Sequence, residues 1–277
     1  MRGALRNDGM AWVVLSAILC LGAIVVTAIC GAGGSVLAST PFAQALDWQA
    51  ALGLREPWRL WTGAWVHGST AHLLVNVAGS TVVAFVGWRA RLPPAAAVAW
   101  FLAWPGVQLL MAAVGSERLG AVMPHYFGLS GVLHAGVIVL ALSLAWPPLP
   151  PRLGRDGPVP RPDTGFVATR ASAIEPSRIT EGPWAMTELG APTALPVSTL
   201  EQPAAAPTGK PPLSERWIGK AILAGTLTKV ALEVPWDLAP HASEALGIAV
   251  APLGHACGIG AGLLAWGAVR LAARRAG

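Results

Sequence analysis

Six apolar stretches of about 20 residues divide this chain, and nothing else in it constrains the fold as strongly. A bilayer's hydrocarbon core is crossed by a helix of about that length. Lipid admits only segments that satisfy their own backbone polar groups. The stretches lie at about 11–31, 70–88, 95–114, 126–146, 217–233 and 249–271. The first, third, fourth and sixth are clear. The second is interrupted by polar residues and the fifth by Thr226, Thr228 and Lys229, so both are expected to face protein rather than lipid. Composition agrees: with 54% hydrophobic and 12% charged residues, and a mean hydropathy of +0.55, this is not a soluble enzyme. The expectation is an all-α membrane protein, a six-helix bundle with helices 1–4 in residues 1–146 and helices 5–6 in 217–277.

Between these parts, residues 147–216 break character. They hold fifteen of the chain's twenty-four prolines, and their seven basic and seven acidic residues cancel. Too few large apolar side chains remain to form a core, which predicts a long disordered loop between helices 4 and 5. Basic residues place that loop in the cytoplasm together with both termini. Arg2, Arg6, Arg89, Arg91, Arg152, Arg155, Arg216, Lys220, Arg270, Arg274 and Arg275 all flank one side. The opposite loop at about 234–248 carries Asp237 and Glu244 with no Lys or Arg. The pI near 9.7 reflects these flanks, and no nucleic-acid partner is needed to explain it. A cleaved signal peptide, with VLA at 36–38 as its cleavage site, is the alternative for the first stretch; its length favours a retained helix. Cys20, Cys30 and Cys257 lie in or beside apolar stretches and read as small buried hydrophobes. The loop at 32–69 carries Trp48, Trp58, Trp61 and Trp65. Tryptophan favours the membrane–water interface, so this loop is expected to lie in the outer headgroup layer against the bundle.

Polar residues inside such stretches are expensive and are functional candidates. Stretches two, four and six run in the same direction from the outer face. Each carries a polar outlier near its start: His72 with Asn76, Ser130 in GLSG, and His255 in GHACG. At 1.5 Å rise per residue, all fall roughly 3–10 Å below the outer surface. A serine and a histidine on adjacent helices suit nucleophilic and general acid–base catalysis. His72 and Asn76, four apart, share a helix face and suit donation to an oxyanion. Gly128 and Gly131 flank Ser130, and Gly258 and Gly262 follow His255, leaving room for close helix packing. No buried carboxylate is evident for a third member, so the expected unit is a dyad. His67 is expected to be peripheral, His134 to pack, with tuning of the site or a bond to a neighbouring helix as the alternatives, and His125 and His241 to be non-catalytic loop residues. A metal site lacks an HExxH-like pattern or acidic ligands, and the chemistry needs no cofactor.

This ordered set resembles the rhomboid family of intramembrane serine proteases. Trp58–Arg59 matches its first-loop motif, His67, His72 and Asn76 match the start of its second helix, GLSG at 128–131 matches GxSG, and His255, Gly258 and Gly262 fit HxxGxxxG. The resemblance covers about residues 11–146 and 217–271. It implies Ser130 as nucleophile and His255 as base, with His72, Asn76 and the Ser130 N–H as oxyanion hole and Gly128 beside the substrate. The extended GLSGVLHA is similar to the rhombosortase branch, associated with cleavage of C-terminal GlyGly-CTERM sorting tails. The implied protein sits in a bacterial inner membrane, its site on the outer face, and its partners are transmembrane substrates and the bilayer. The last outer loop, with Pro235, Pro240 and Pro252, is the expected mobile cap. The competing classes are an inactive rhomboid-like protein that binds transmembrane segments and a small transporter. A transporter should carry polar residues at several depths, whereas these cluster near one face.

Overall fold

A computed structural model describes residues 9–30, 40–147 and 213–275, all within one compact unit. The 147–216 insertion beyond Pro147 and before Leu213, the VLA segment at 36–38, and Arg2, Arg6, Arg152 and Arg155 lie outside the described residues. In chain order the elements are α1 (Met10–Cys30), α2 (Pro41–Leu46), β1 (Trp48–Gln49), α3 (Arg59–Thr62) with a 3-10 turn at Gly63–Trp65, and α4 (Thr70–Arg89). There follow α5 (Pro94–Val114), α6 (Ser116–Val122), β2 (His125–Tyr126), α7 (Ser130–Ala145), α8 (Leu213–Leu232), β3 (His241–Ser243), β4 (Ile248–Val250) and α9 (Pro252–Arg275).

Helices occupy the places of all six apolar stretches. Four of them, α1, α4, α5 and α9, are long and apolar enough to cross a membrane. The fourth stretch forms a helix of only 16 residues, α7, because residues 126–129 are spent on β2 and the turn before it. Nearly every α7 side chain from Val132 to Ala145 is buried, as expected of a helix that is apolar all round. Around it, α5, α8 and α9 pack directly, and α1 reaches it through α4 and α5. Two buried indoles stitch this order together: Trp12 Nε1 donates to the Val83 carbonyl at 2.9 Å and Trp100 Nε1 to the Val132 carbonyl at 2.8 Å. The two rings meet at 4.5 Å between centroids, so α1, α4, α5 and α7 are linked through one aromatic contact. Outward faces carry exposed Leu21, Leu74, Val82, Phe85 and Leu264, a surface suited to hydrocarbon and a liability in water.

The loop between α1 and α4 packs on the bundle. Trp48 is fully buried and pairs with Tyr126 in a short antiparallel β1–β2 ladder, while Trp61 and Trp65 both pack against Trp104 of α5. The Trp58–Arg59 pair serves this anchoring. Arg59 Nη1 donates to the carbonyls of Gln44 and Asp47 at 2.6 Å and to Asp47 Oδ1 at 3.1 Å, and its Nε to Glu56 Oε2 at 2.6 Å. From the other side His125 Nδ1 donates to Asp47 Oδ2 at 2.6 Å. Burial pushes the Asp47 carboxyl above its ordinary range, against the hydrogen bonds from Gln49 and His125 and the charge of Arg59. Removing one partner of a buried pair strands the other charge. Arg59→Met is therefore expected to cost about 3 kcal/mol in unfolding stability at neutral pH. The loss should shrink as pH falls, because the stranded carboxyl can take up a proton; thermal unfolding of the solubilised protein across pH checks both statements.

Candidate active site

The turn before α7 is set by Gly128, whose φ of +105° few side-chain-bearing residues adopt. Its N–H donates to the Gly63 carbonyl at 2.9 Å, so the anchored first loop holds the GLSG turn. A Cβ at this position would stand 2.5 Å from His72 Cε1 and 2.8 Å from Nε2. Absence of a side chain at residue 128 is what lets the His72 ring lie beside the start of α7. The helix opens at Ser130 after Leu129, which makes no side-chain cap bond to its first-turn N–H groups.

On α4, Ser69 caps the helix by accepting the His72 N–H at 3.0 Å and donates its own hydroxyl to the Leu246 carbonyl. One residue thus fixes both the start of α4 and the β3–β4 hairpin. His67, expected to be peripheral, is buried instead. Its Nδ1 donates to the Trp65 carbonyl at 3.1 Å, and its Nε2 accepts from Asn76 Nδ2 at 3.0 Å. The His67 and His72 rings lie 4.7 Å apart. His67 therefore orients Asn76, engaging one of the two amide N–H bonds and leaving the other.

The α7–α9 contact brings Ser130 and His255 to one wall. A Cβ on Gly258 would stand 2.1 Å from the Gly131 carbonyl oxygen, and one on Gly254 would stand 2.4 Å from the Tyr126 hydroxyl. Helix backbones this close need glycine at the crossing. His72, Asn76, Ser130 and His255 all line a cavity of about 800 Å³, with His134, Lys229 and Glu233 beside them. Among the described residues no hydrogen bond joins the Ser130 hydroxyl to His255. The β3–β4 hairpin forms part of the cavity wall, where sequence suggested only a proline-bearing cap. His241 sits on that hairpin and pairs loosely with Asp237 at 3.4 Å. His125 belongs to the Asp47 cluster.

One expectation needs correcting. A carboxylate does reach His255, whose Nδ1 donates to Glu233 Oε2 at 2.7 Å. Glu233 follows the last turn of α8, one turn after Lys229, whose ammonium it accepts at 2.6 Å on Oε1. A lysine and a glutamate four apart at the end of the fifth apolar stretch was the available signal. His134 both packs and bonds a neighbouring helix, one of the readings the sequence offered. Its Nδ1 donates to the Ser130 carbonyl at 2.7 Å, its Nε2 accepts from Lys229 at 3.2 Å, and its ring stacks on His255 at 4.2 Å. All three cysteines are free, and the described residues contain no cluster of three His, Cys, Asp or Glu placed to hold a metal ion.

Comparison with protein-family models, with curated proteins and with solved structures finds no match to this chain.

Proposed function

We propose that the chain is an intramembrane serine endopeptidase of rhomboid type. Its six helices would span a bacterial inner membrane with the cavity opening to the outer side. The observation that carries the reading is the convergence of Ser130, His255, His72 and Asn76 on one cavity from three different helices. A protein that only binds transmembrane segments has no need of that set. These four residues also lie in the first halves of α4, α7 and α9.

In this reading Ser130 Oγ attacks the scissile carbonyl carbon while its proton passes to His255 Nε2. The oxyanion is held by first-turn N–H groups of α7, the free Asn76 N–H and His72 Nε2–H. His72 Nδ1 is buried without a partner among the described residues, and in this reading the ring carries its proton on Nε2. Collapse breaks the C–N bond, and His255 returns the proton to the leaving amine. Water then attacks the acyl ester, giving its proton to His255; Ser130 leaves as the alcohol, and the product is a carboxylic acid. Serine and base are commonly held looser than hydrogen-bonding distance before substrate arrives. Substrates are transmembrane or juxtamembrane segments whose small residues unwind into the cavity. Sorting tails of the GlyGly-CTERM type fit that description, as the GLSGVLHA similarity suggests.

The test is a fluorophosphonate probe on the solubilised protein, with the modified peptide located by mass spectrometry. Labelling confined to Ser130 is expected. Labelling at another residue removes the nucleophile assignment. A folded but unlabelled protein, beside a labelled rhomboid control, favours the inactive binding protein instead.

A further inference from the structure

We propose that Glu233 is the positioning residue that orients His255 toward Ser130, so that the site works as a serine–histidine–glutamate triad braced by Lys229 and His134. This rests on the protease reading above. A carboxylate only accepts, so the 2.7 Å contact puts the His255 proton on Nδ1 and leaves the lone pair of Nε2 for the serine hydroxyl. The carboxylate also faces the imidazolium that forms during attack, the role of the third member in serine hydrolase triads.

The surroundings fix this geometry from every side. Glu233 uses its other oxygen for Lys229, and Lys229 also reaches His134 Nε2. His134 must then carry its proton on Nδ1, where it bonds the carbonyl of Ser130 itself. Its ring lies nearly parallel to that of His255, with 21° between planes. The result is a closed path from nucleophile backbone to base: Ser130, His134, Lys229, Glu233, His255. A helix-surface ion pair four residues apart contributes only about 0.3–0.5 kcal/mol. That gain does not explain why Glu233 spends its second oxygen on a buried histidine of another helix.

The experiment measures fluorophosphonate inactivation kinetics of the full-length solubilised chain, comparing wild type, Glu233→Ala, Glu233→Asp and Ser130→Ala, with and without added formate. Glu233→Ala is expected to lose about 10²- to 10⁴-fold in the maximal inactivation rate, as triad carboxylate variants do. Its half-saturating probe concentration should stay within about threefold. Formate, small enough to enter the emptied position, should restore at least about tenfold, and Glu233→Asp should retain an intermediate rate. A Glu233→Ala rate within about threefold of wild type overturns the proposal while leaving Ser130 as nucleophile. A loss accompanied by lowered thermal stability and unmoved by formate also overturns it, because that is a structural role. An unlabelled wild type overturns the protease reading and this one together.

Discussion

The double variant Ser130→Ala/His255→Ala is expected to cleave a fluorogenic apolar-helix reporter no more slowly than either single variant, each slower than wild type by about 10⁵- to 10⁶-fold. Under the protease reading, nucleophile and base act as one unit: without the serine there would be no proton for His255 to take, and without His255 the hydroxyl would be a poor nucleophile. What survives should be the roughly 10³-fold contribution of binding and oxyanion donors. Adding His72→Ala or Asn76→Ala to the double variant should remove a further part of it, about 10²-fold for a single donor. If the two single losses multiply in the double variant, the residues are acting independently, and His255 is not the base for Ser130.

Gly258→Leu is expected to be the most destabilising single replacement considered, costing about 4 kcal/mol or more and abolishing probe labelling. In a free helix the exchange would stabilise, since glycine is about 0.8–1.0 kcal/mol worse than good helix formers. Packing opposes this. The new Cβ would stand 2.1 Å from the Gly131 carbonyl oxygen, and that atom is backbone, unable to swing aside as a side chain would. The helices must move apart by about 1 Å or more at the crossing that holds His255 beside Ser130, a displacement that can by itself cost about 10²-fold in rate. Gly267, further along α9 with nothing near its Cβ position, supplies the contrast: Gly267→Ala should be neutral or stabilise by up to about 1 kcal/mol. Thermal midpoints of the two solubilised variants decide the matter, and equal stabilities would sink the packing account.

Placement of the helices was legible because it rests on a local property, a run of apolar residues long enough to span lipid. The polar outliers were legible for a related reason: Ser130, His72, Asn76 and His255 are out of character with their own helices. Glu233 was not. It stands at the end of α8, where a carboxylate reads as an ordinary flank, and only the crossing of α8 with the start of α9 gives it a partner. His67 was misjudged for the same reason, since its bond to Asn76 depends on how the chain folds back from the 3-10 turn into α4. The Asp47–Arg59–His125 cluster joins residues up to 78 positions apart, which no local pattern encodes. Its parts were visible as tryptophan- and arginine-bearing loop, but the buried acid that organises them was not.

Serine, imidazole and carboxylate come from α7, α9 and the end of α8, and no two share a helix. Under the protease reading proposed above, a chain threaded into the bilayer with these helices still apart would carry all of its chemistry in inert form. Docking of the last two helices on α7 would be the event that arms it. Cutting power would then be a readout of finished assembly, and neighbouring membrane proteins would be shielded from a half-folded enzyme by nothing more than the order in which its helices meet.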